Sequence, residues 1–223
     1  MALYALLDYD SLQKYGITIE EFIQTAKGLK AKILQYRDKN SSLKEKKERI
    51  KKIRKLWKKT LIINDNPELL NYADGIHIGQ EDLDELSKKH NISPYEVIDS
   101  LKTGKWEISD NNFAFSNSQK SPKKIVGLST HNKEEILHAN TLPLSYIGLG
   151  AYRPTNTKNT DNILGEKIIE LITYSYHPVA VIGGVKIYDK IPSNFKVVGS
   201  DICKLTYSRL RKKRISKKKL KNL

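Results

Sequence analysis

Thr60-Leu61-Ile62-Ile63-Asn64-Asp65 and, after a short gap, Gly75-Ile76-His77-Ile78-Gly79-Gln80-Glu81-Asp82 decide the fold. Each is a brief, mostly apolar, β-branched run that ends in amides and carboxylates. A run that stays apolar suits a parallel strand covered on both faces, whereas a strand with one wet face would alternate. The pattern recurs at Ala2–Asp8, Ala31–Arg37, Lys124–Thr130, Tyr146–Tyr152, Pro178–Gly184 and Phe195–Asp201, which makes eight runs. Helical segments separate most of them. One begins at Thr18-Ile19-Glu20-Glu21, with Phe22, Ile23 and Ala26 at helical spacing, and others are Lys44–Lys59, Asp82–Leu101, Asn132–Ala139 and Gly165–Tyr174. Strand alternating with helix predicts a parallel sheet with right-handed crossovers. A doubly wound open sheet is the alternative. Eight strands in 223 residues favour closure into a single (β/α)8 TIM barrel spanning 1–223.

Two stretches fit this scheme poorly. Residues 103–123 are polar and long for a connector, and read as a lid, an added hairpin or a mobile insertion. The seventh crossover, Lys186 to Asn194, is short and contains Pro192, so a single helical turn is expected there.

Composition narrows the function classes. Hydrophobic content is 39% and mean hydropathy −0.54, and no apolar run approaches the roughly 20 residues of a membrane span. Met1-Ala2-Leu3-Tyr4 opens straight into a strand-like run, without a basic leader. Cys203 is the single cysteine, which excludes an intrachain disulfide and a cysteine-rich zinc site, and points to a reducing cytoplasm. The net charge of +15 is uneven: 204–223, a basic C-terminal helix or tail, holds ten Lys/Arg and no acid, leaving +5 for the rest. Lys44–Lys59 holds ten basic and two acidic residues, with Ile50, Ile53 and Trp57 at helical spacing. Both blocks read first as solvated helix faces, and only second as contacts for nucleic acid or another polyanion.

The strand exits carry the chemistry. Strand alternation puts Gln35, Arg37 and Lys39 on one side and Tyr36 and Asp38 on the other. Two cations beside an amide suit a phosphate chain and a heterocycle edge, although both could simply meet neighbouring acids. Asp65 and Asp82 end or follow adjacent strands and could share one Mg²⁺, completed by water and diphosphate oxygens. Asp82 could instead only cap the next helix, or Glu81 could be the ligand. Asn64 could donate to a phosphate or a ring nitrogen. Ser129 sits at another exit. Thr155, Thr157 and Lys158 could cradle phosphates, Gly183-Gly184 lets backbone N–H groups approach a ligand, and Gly199-Ser200 would supply the other half of such a cup. His77 reads as a core residue, while His131, nearer the rim, could act as an acid or base. No Ser-His-Asp, Cys-His, GxGxxG or Walker pattern is present.

The ordered set Gln35-x-Arg37-x-Lys39, Ile62-Ile63-Asn64-Asp65, Ala73–Asp82, Val126-Gly127-Leu128-Ser129-Thr130-His131, Tyr146-Ile147-Gly148-Leu149-Gly150, Pro154-Thr155-x-Thr157-Lys158 and Ile182-Gly183-Gly184 resembles the thiamine-phosphate synthase family. Those (β/α)8 barrels join an aminopyrimidine diphosphate to a thiazole phosphate, giving thiamine phosphate and diphosphate. By that resemblance Asp65 and Asp82 bind Mg²⁺. Gln35, Arg37, Lys39, Asn64, Ser129 and Lys158 would hold the pyrimidine diphosphate, with Arg37, Lys39, Ser129 and Lys158 catalytic. Thr155, Asn156, Thr157, Gly184, Gly199 and Ser200 would hold the thiazole phosphate. The family's dissociative mechanism needs no protein nucleophile, in keeping with the absence of one. Two departures stand out: Gly150-Ala151-Tyr152-Arg153 replaces the usual Gly-Pro-hydrophobic-aromatic run, and Gly199 stands where an aliphatic residue is usual.

The resemblance implies small-molecule substrates; the composition gives no membrane partner, nucleic acid is not expected despite the basic tail, and a homo-oligomer is left open. Two rival readings remain. One is a thiazole tautomerase of the same superfamily, with His131 as its histidine. The other is a non-catalytic barrel that binds nucleic acid or a partner through its basic surfaces.

Overall fold

The computed structural model describes residues 1–104, 108–109, 112–113, 123–154 and 163–221. The strands are β1 (Ala2–Asp8), β2 (Ile33–Arg37), β3 (Thr60–Asn64), β4 (Gly75–Ile78), β5 (Ile108–Ser109), β6 (Asn112–Phe113), β7 (Ile125–Thr130), β8 (Tyr146–Leu149), β9 (Val179–Val181) and β10 (Phe195–Val198). Eight of them close in the order β1-β2-β3-β4-β7-β8-β9-β10, every neighbouring pair parallel. β5 and β6 form a separate antiparallel pair.

Each barrel strand is apolar on both faces because each face meets a different core. Ala5, Leu7, Leu34, Leu61, Ile63, Ile76, Val126, Leu128 and Ile147 face the helices and belong to the larger cluster. Their alternates Tyr4, Leu6, Ile62, Tyr146, Ala180 and Val197 form a second cluster inside the barrel. Two of the residues filling that interior are tyrosines, and their hydroxyls matter below.

The helices are α1 (Tyr9–Tyr15), α2 (Ile19–Gly28), α3 (Leu43–Leu56), α4 (Gln80–His90), α5 (Pro94–Thr103), α6 (Lys133–Ala139), α7 (Lys167–Ile172) and α8 (Ser200–Lys221). Thr18, Ser42 and Ser93 start α2, α3 and α5 with reciprocal Ser/Thr–Glu capping bonds. α3 buries Ile50 and Ile53 and ends at the buried Trp57, as its spacing predicts. Thr206 of α8 donates to Thr25 of α2 at 2.8 Å, and Ile202 and Cys203 are fully buried, so the start of the basic helix is packed into the fold.

Four local expectations change. The segment expected as one helix over Asp82–Leu101 is two, because Asn91 adopts a left-handed conformation (φ 50°) and Ser93-Pro94 opens a new one. α1, directly after β1, is an additional helix. The last strand ends at Val198 rather than Asp201, since the chain turns helical at Ser200. The seventh crossover contains turns and no helix, its bends held by Asp189 accepting from the Lys186 N–H at 2.8 Å.

Candidate active site

The exits of β1, β2, β3, β4 and β7 bring one group of charged and polar side chains together. Asp65 is the first residue after β3, and its N–H donates to the His77 carbonyl at 3.0 Å. Its φ of +57° lies in the left-handed region, which aspartate tolerates better than most residues and which is often retained at working sites. Its carboxyl lies close enough to feel the charge of Asp82. Burial first, and then the Asp82 charge, push the Asp65 carboxyl up to about 6, while Lys39 and Arg37 pull the other way. Asp82 does also cap α4: its Oδ2 accepts from the Gly79 N–H at 2.9 Å. The capping reading of Asp82 is thus met, and its other carboxylate oxygen, Oδ1, takes no part in that bond. Two crowded hard-oxygen donors fit Mg²⁺, which commonly takes one or two carboxylates and completes its shell with water and phosphate oxygens. Among the described residues no group of three or more His, Cys, Asp or Glu side chains converges on one point.

Arg37 is held by an acid to which the sequence reading gave no role. Its Nη1 donates to Asp8 Oδ1 at 2.5 Å, and Asp8 is itself buried at the end of β1. The other Asp8 oxygen accepts from both the N–H and the hydroxyl of Ser11. A carboxylate at a strand exit was the available signal. Tyr36 and Asp38 point to the helix layer as alternation predicts: the Tyr36 hydroxyl donates to Asp38 at 2.6 Å, and Arg49 of α3 donates to it at 2.7 Å.

A hydrogen-bonded chain runs through the barrel interior and joins several expected site residues. Gln35 Nε2 donates to Asn64 Oδ1 at 2.7 Å, and the Tyr4 hydroxyl donates to Gln35 Oε1 at 2.9 Å. The Tyr4 and Tyr146 hydroxyls are 2.9 Å apart. Tyr146 meets His77 Nδ1 at 3.0 Å, and His77 Nε2 meets Ser129 Oγ at 3.0 Å. Burial raises both phenols well above their ordinary range, so each keeps its proton. Glycines make the room: a Cβ on Gly127 would lie 2.2 Å from Tyr146 Cζ, and one on Gly148 would lie 2.8 Å from His77 Cε1. His77 thus fills the core, as expected, and touches Ser129 as well. Gln80 Nε2 donates to the Ser129 carbonyl at 2.6 Å.

The exits of β8, β9 and β10 form the other half of the rim. Gly183 and Gly184 have φ of +87° and +63°, and a Cβ on either would fall within 2.7 Å of Ala151 or Arg153. Gly199 and Ser200 stand where β10 passes into α8, with Gly199 accepting from Ile202 and Cys203. Arg153, part of the departure from the family pattern, donates to both oxygens of Asp189 at 2.5 and 3.2 Å. Thr155, Asn156, Thr157 and Lys158 lie outside the described residues.

Several of the groups that the two rival readings would use are paired within the described residues. His131 is held by Glu135, whose Oε2 lies 2.9 Å from both its backbone N–H and its Nδ1. A hollow of about 690 Å³ beside α3 is lined by Lys51, Lys52, Arg54, Lys55 and Lys124, at the strand-entry end of the barrel. Several of those cations already have acids: Lys51 with Glu48, Lys52 with Glu20, Arg54 with Asp74. No helix of the described residues is long and apolar enough to cross a membrane.

A closed parallel barrel with cations, paired acids and glycine turns at its strand exits belongs to the class of (β/α)8 proteins that handle phosphorylated substrates. The family model described as thiamine monophosphate synthase matches residues 3–99 and 101–192. The thiamine-phosphate synthase of Persephonella marina is 33% identical over 191 residues, covering 83% of this chain and 77% of its own. That of Dictyoglomus thermophilum is 34% identical over 177 residues, covering 75% and 67%. Thiamine phosphate pyrophosphorylase from Pyrococcus furiosus superposes with a TM-score of 0.64 over 95% of this chain and 94% of its own, at 22% identity, and so shares the fold. The chain belongs to the thiamine monophosphate synthase family.

Proposed function

We propose that this protein is a thiamine-phosphate synthase, joining 4-amino-5-hydroxymethyl-2-methylpyrimidine diphosphate to a thiazole phosphate. The observation that carries the reading is the pair Asp65 and Asp82 set together beside Arg37 and Lys39. Family membership supports the same activity, as do the thiamine-phosphate synthases to which the chain is similar.

Asp65 and Asp82 would hold Mg²⁺, and the ion when bound would offset negative charge on the leaving diphosphate. Arg37, oriented by Asp8, together with Lys39, supplies fixed positive charge to the same oxygens. The methylene C–O bond breaks with its electron pair passing to diphosphate, and the electron-rich aminopyrimidine ring carries the cation left behind. The thiazole nitrogen lone pair then forms the new C–N bond. Gln35 and Asn64 would orient the pyrimidine, and Ser129 and Lys158 would hold its diphosphate. Thr155, Asn156, Thr157, Gly184, Gly199 and Ser200 would fix the thiazole phosphate, so that capture occurs within one complex. The substrates are small molecules, and the enzyme works in a reducing cytoplasm. The test is product formation from both phosphorylated heterocycles with Mg²⁺. Absence of product from the pair would overturn the reading.

A further inference from the structure

The chain Ser129–His77–Tyr146–Tyr4–Gln35–Asn64 spans the barrel interior from one strand exit to others across it, and every link is a hydrogen bond of 2.7 to 3.0 Å. Its chemistry restricts it sharply. Each hydroxyl has one proton to donate, a neutral imidazole donates from one nitrogen and accepts at the other, and each amide offers one of each. With His77 neutral, two arrangements run in one direction through every link; a tyrosine hydroxyl can also accept from both sides, but only the second arrangement below releases the Ser129 proton. In the first, Ser129 donates to His77 Nε2, His77 Nδ1–H donates to Tyr146, and all later bonds run the same way. Asn64 is then left presenting its NH₂ outward. In the second every bond is reversed. Asn64 donates to Gln35, Gln35 to Tyr4, Tyr4 to Tyr146, Tyr146 to His77 Nδ1, and His77 Nε2–H to Ser129. Asn64 then presents its oxygen, and the Ser129 hydroxyl proton is free for a ligand. Reversal requires two amide flips and proton shifts along the chain, but no displacement of heavy-atom positions.

We propose that Tyr4, Tyr146 and His77 are positioning residues that couple the two ends, so that Ser129 donates to an anion only when Asn64 offers an acceptor to the heterocycle. The proposal rests on the synthase reading. Diphosphate oxygens only accept, and the pyrimidine's 4-amino group donates, so the substrate satisfies both ends of the second arrangement together. A 4-oxo pyrimidine diphosphate would satisfy one end and oppose the other. Selection of an amino over an oxo heterocycle would then be set by residues that need not touch the ring. Gly127 and Gly148 are shaped for this, since a side chain at either would displace the Tyr146 or His77 ring.

The test has two arms on the full chain. In the first, ¹⁵N-histidine spectra are recorded with Mg²⁺ and inorganic diphosphate. The expected result is His77 as the neutral Nε2–H tautomer, with that signature lost in Tyr146→Phe. In the second, calorimetry compares the aminopyrimidine diphosphate with its 4-oxo analogue. Tyr146→Phe and Tyr4→Phe, each lacking one hydroxyl but keeping its ring, are expected to lower the preference for the amino ligand about tenfold, the scale of one buried hydrogen bond. Affinity for the thiazole phosphate should stay within about twofold, since neither Gly183-Gly184 nor Gly199-Ser200 is a member of the hydrogen-bonded chain. An unchanged preference in both folded variants overturns the proposal. So does a His77 Nδ1–H tautomer in the diphosphate complex, or no binding of diphosphate. Wild-type protein that binds and discriminates but forms no product would remove the synthase reading and leave this coupling standing.

Discussion

Asp8 and Arg37 are joined at 2.5 Å across the exits of β1 and β2, and the side chain of Asp8 is only 4% exposed. An acid so enclosed has little freedom, and both Ser11 bonds fix its second oxygen. The guanidinium is therefore held in one place near Asp65 rather than left to search for a phosphate. Asp8→Asn keeps the shape and removes the charge that holds Arg37. It is expected to raise KM for the pyrimidine diphosphate about tenfold while leaving KM for the thiazole phosphate unchanged, as steady-state kinetics will show.

The crowding of Asp65 against Asp82 has a sign in stability. The folded chain holds the Asp65 proton up to about pH 6, against an ordinary carboxyl value of 3.8. Folding thus favours the protonated form: its contribution is complete below about pH 4 and is lost as pH rises through 6. Asp65→Asn imitates that form. It is expected to raise the melting temperature by a few degrees at pH 7.5, give no gain at pH 4, and abolish turnover. Added Mg²⁺ should stabilise the wild type at pH 7.5 and not the variant, which thermal denaturation with and without chelator checks.

Arg153 ties the exit of β8 to the turn after β9. Asp189 takes its guanidinium with both oxygens and also accepts the Lys186 N–H, beside the Gly183-Gly184 backbone. Removing either partner should loosen the glycine turn. Arg153→Ala and Asp189→Asn are expected to raise KM for the thiazole phosphate severalfold, on the order of a partly exposed charged hydrogen bond, with KM for the pyrimidine diphosphate unchanged.

Gly127 faces the Tyr146 ring with no space for a methyl group, the nearest ring atom lying 2.2 Å from a built Cβ. Overpacking of this kind costs about 1–3 kcal/mol, so Gly127→Ala should shift the urea midpoint downward without changing the slope of the transition.

All eight barrel strands were legible in the sequence, because a strand buried on both faces leaves an apolar run that polar exits punctuate. Their ends were less so. Phe195–Asp201 reads as one strand run, yet the strand ends at Val198 and the chain turns helical at Ser200, a change that the polar Gly199-Ser200-Asp201 marked and the strand reading ran over. The break within Asp82–Leu101 did carry signals, in Asn91 and in Ser93-Pro94 with Glu96, that helical periodicity outweighed. At the site, Asp65 and Asp82 were readable as acids at neighbouring exits. Tyr4 and Tyr146 were not, since inside an apolar strand they look like core residues. Their hydroxyls meet only because closure of the barrel joins positions 142 residues apart.

The most direct test is turnover of the two phosphorylated heterocycles by wild type, Asp65→Asn and Asp82→Asn, with the variants shown to be folded by their thermal transitions. The expected result is Mg²⁺-dependent thiamine phosphate and diphosphate from the wild type, and at least a hundredfold less from either variant, the scale for loss of a charge-stabilising group at a leaving oxygen. Full activity in both variants, or wild-type turnover indifferent to chelator, would contradict the account.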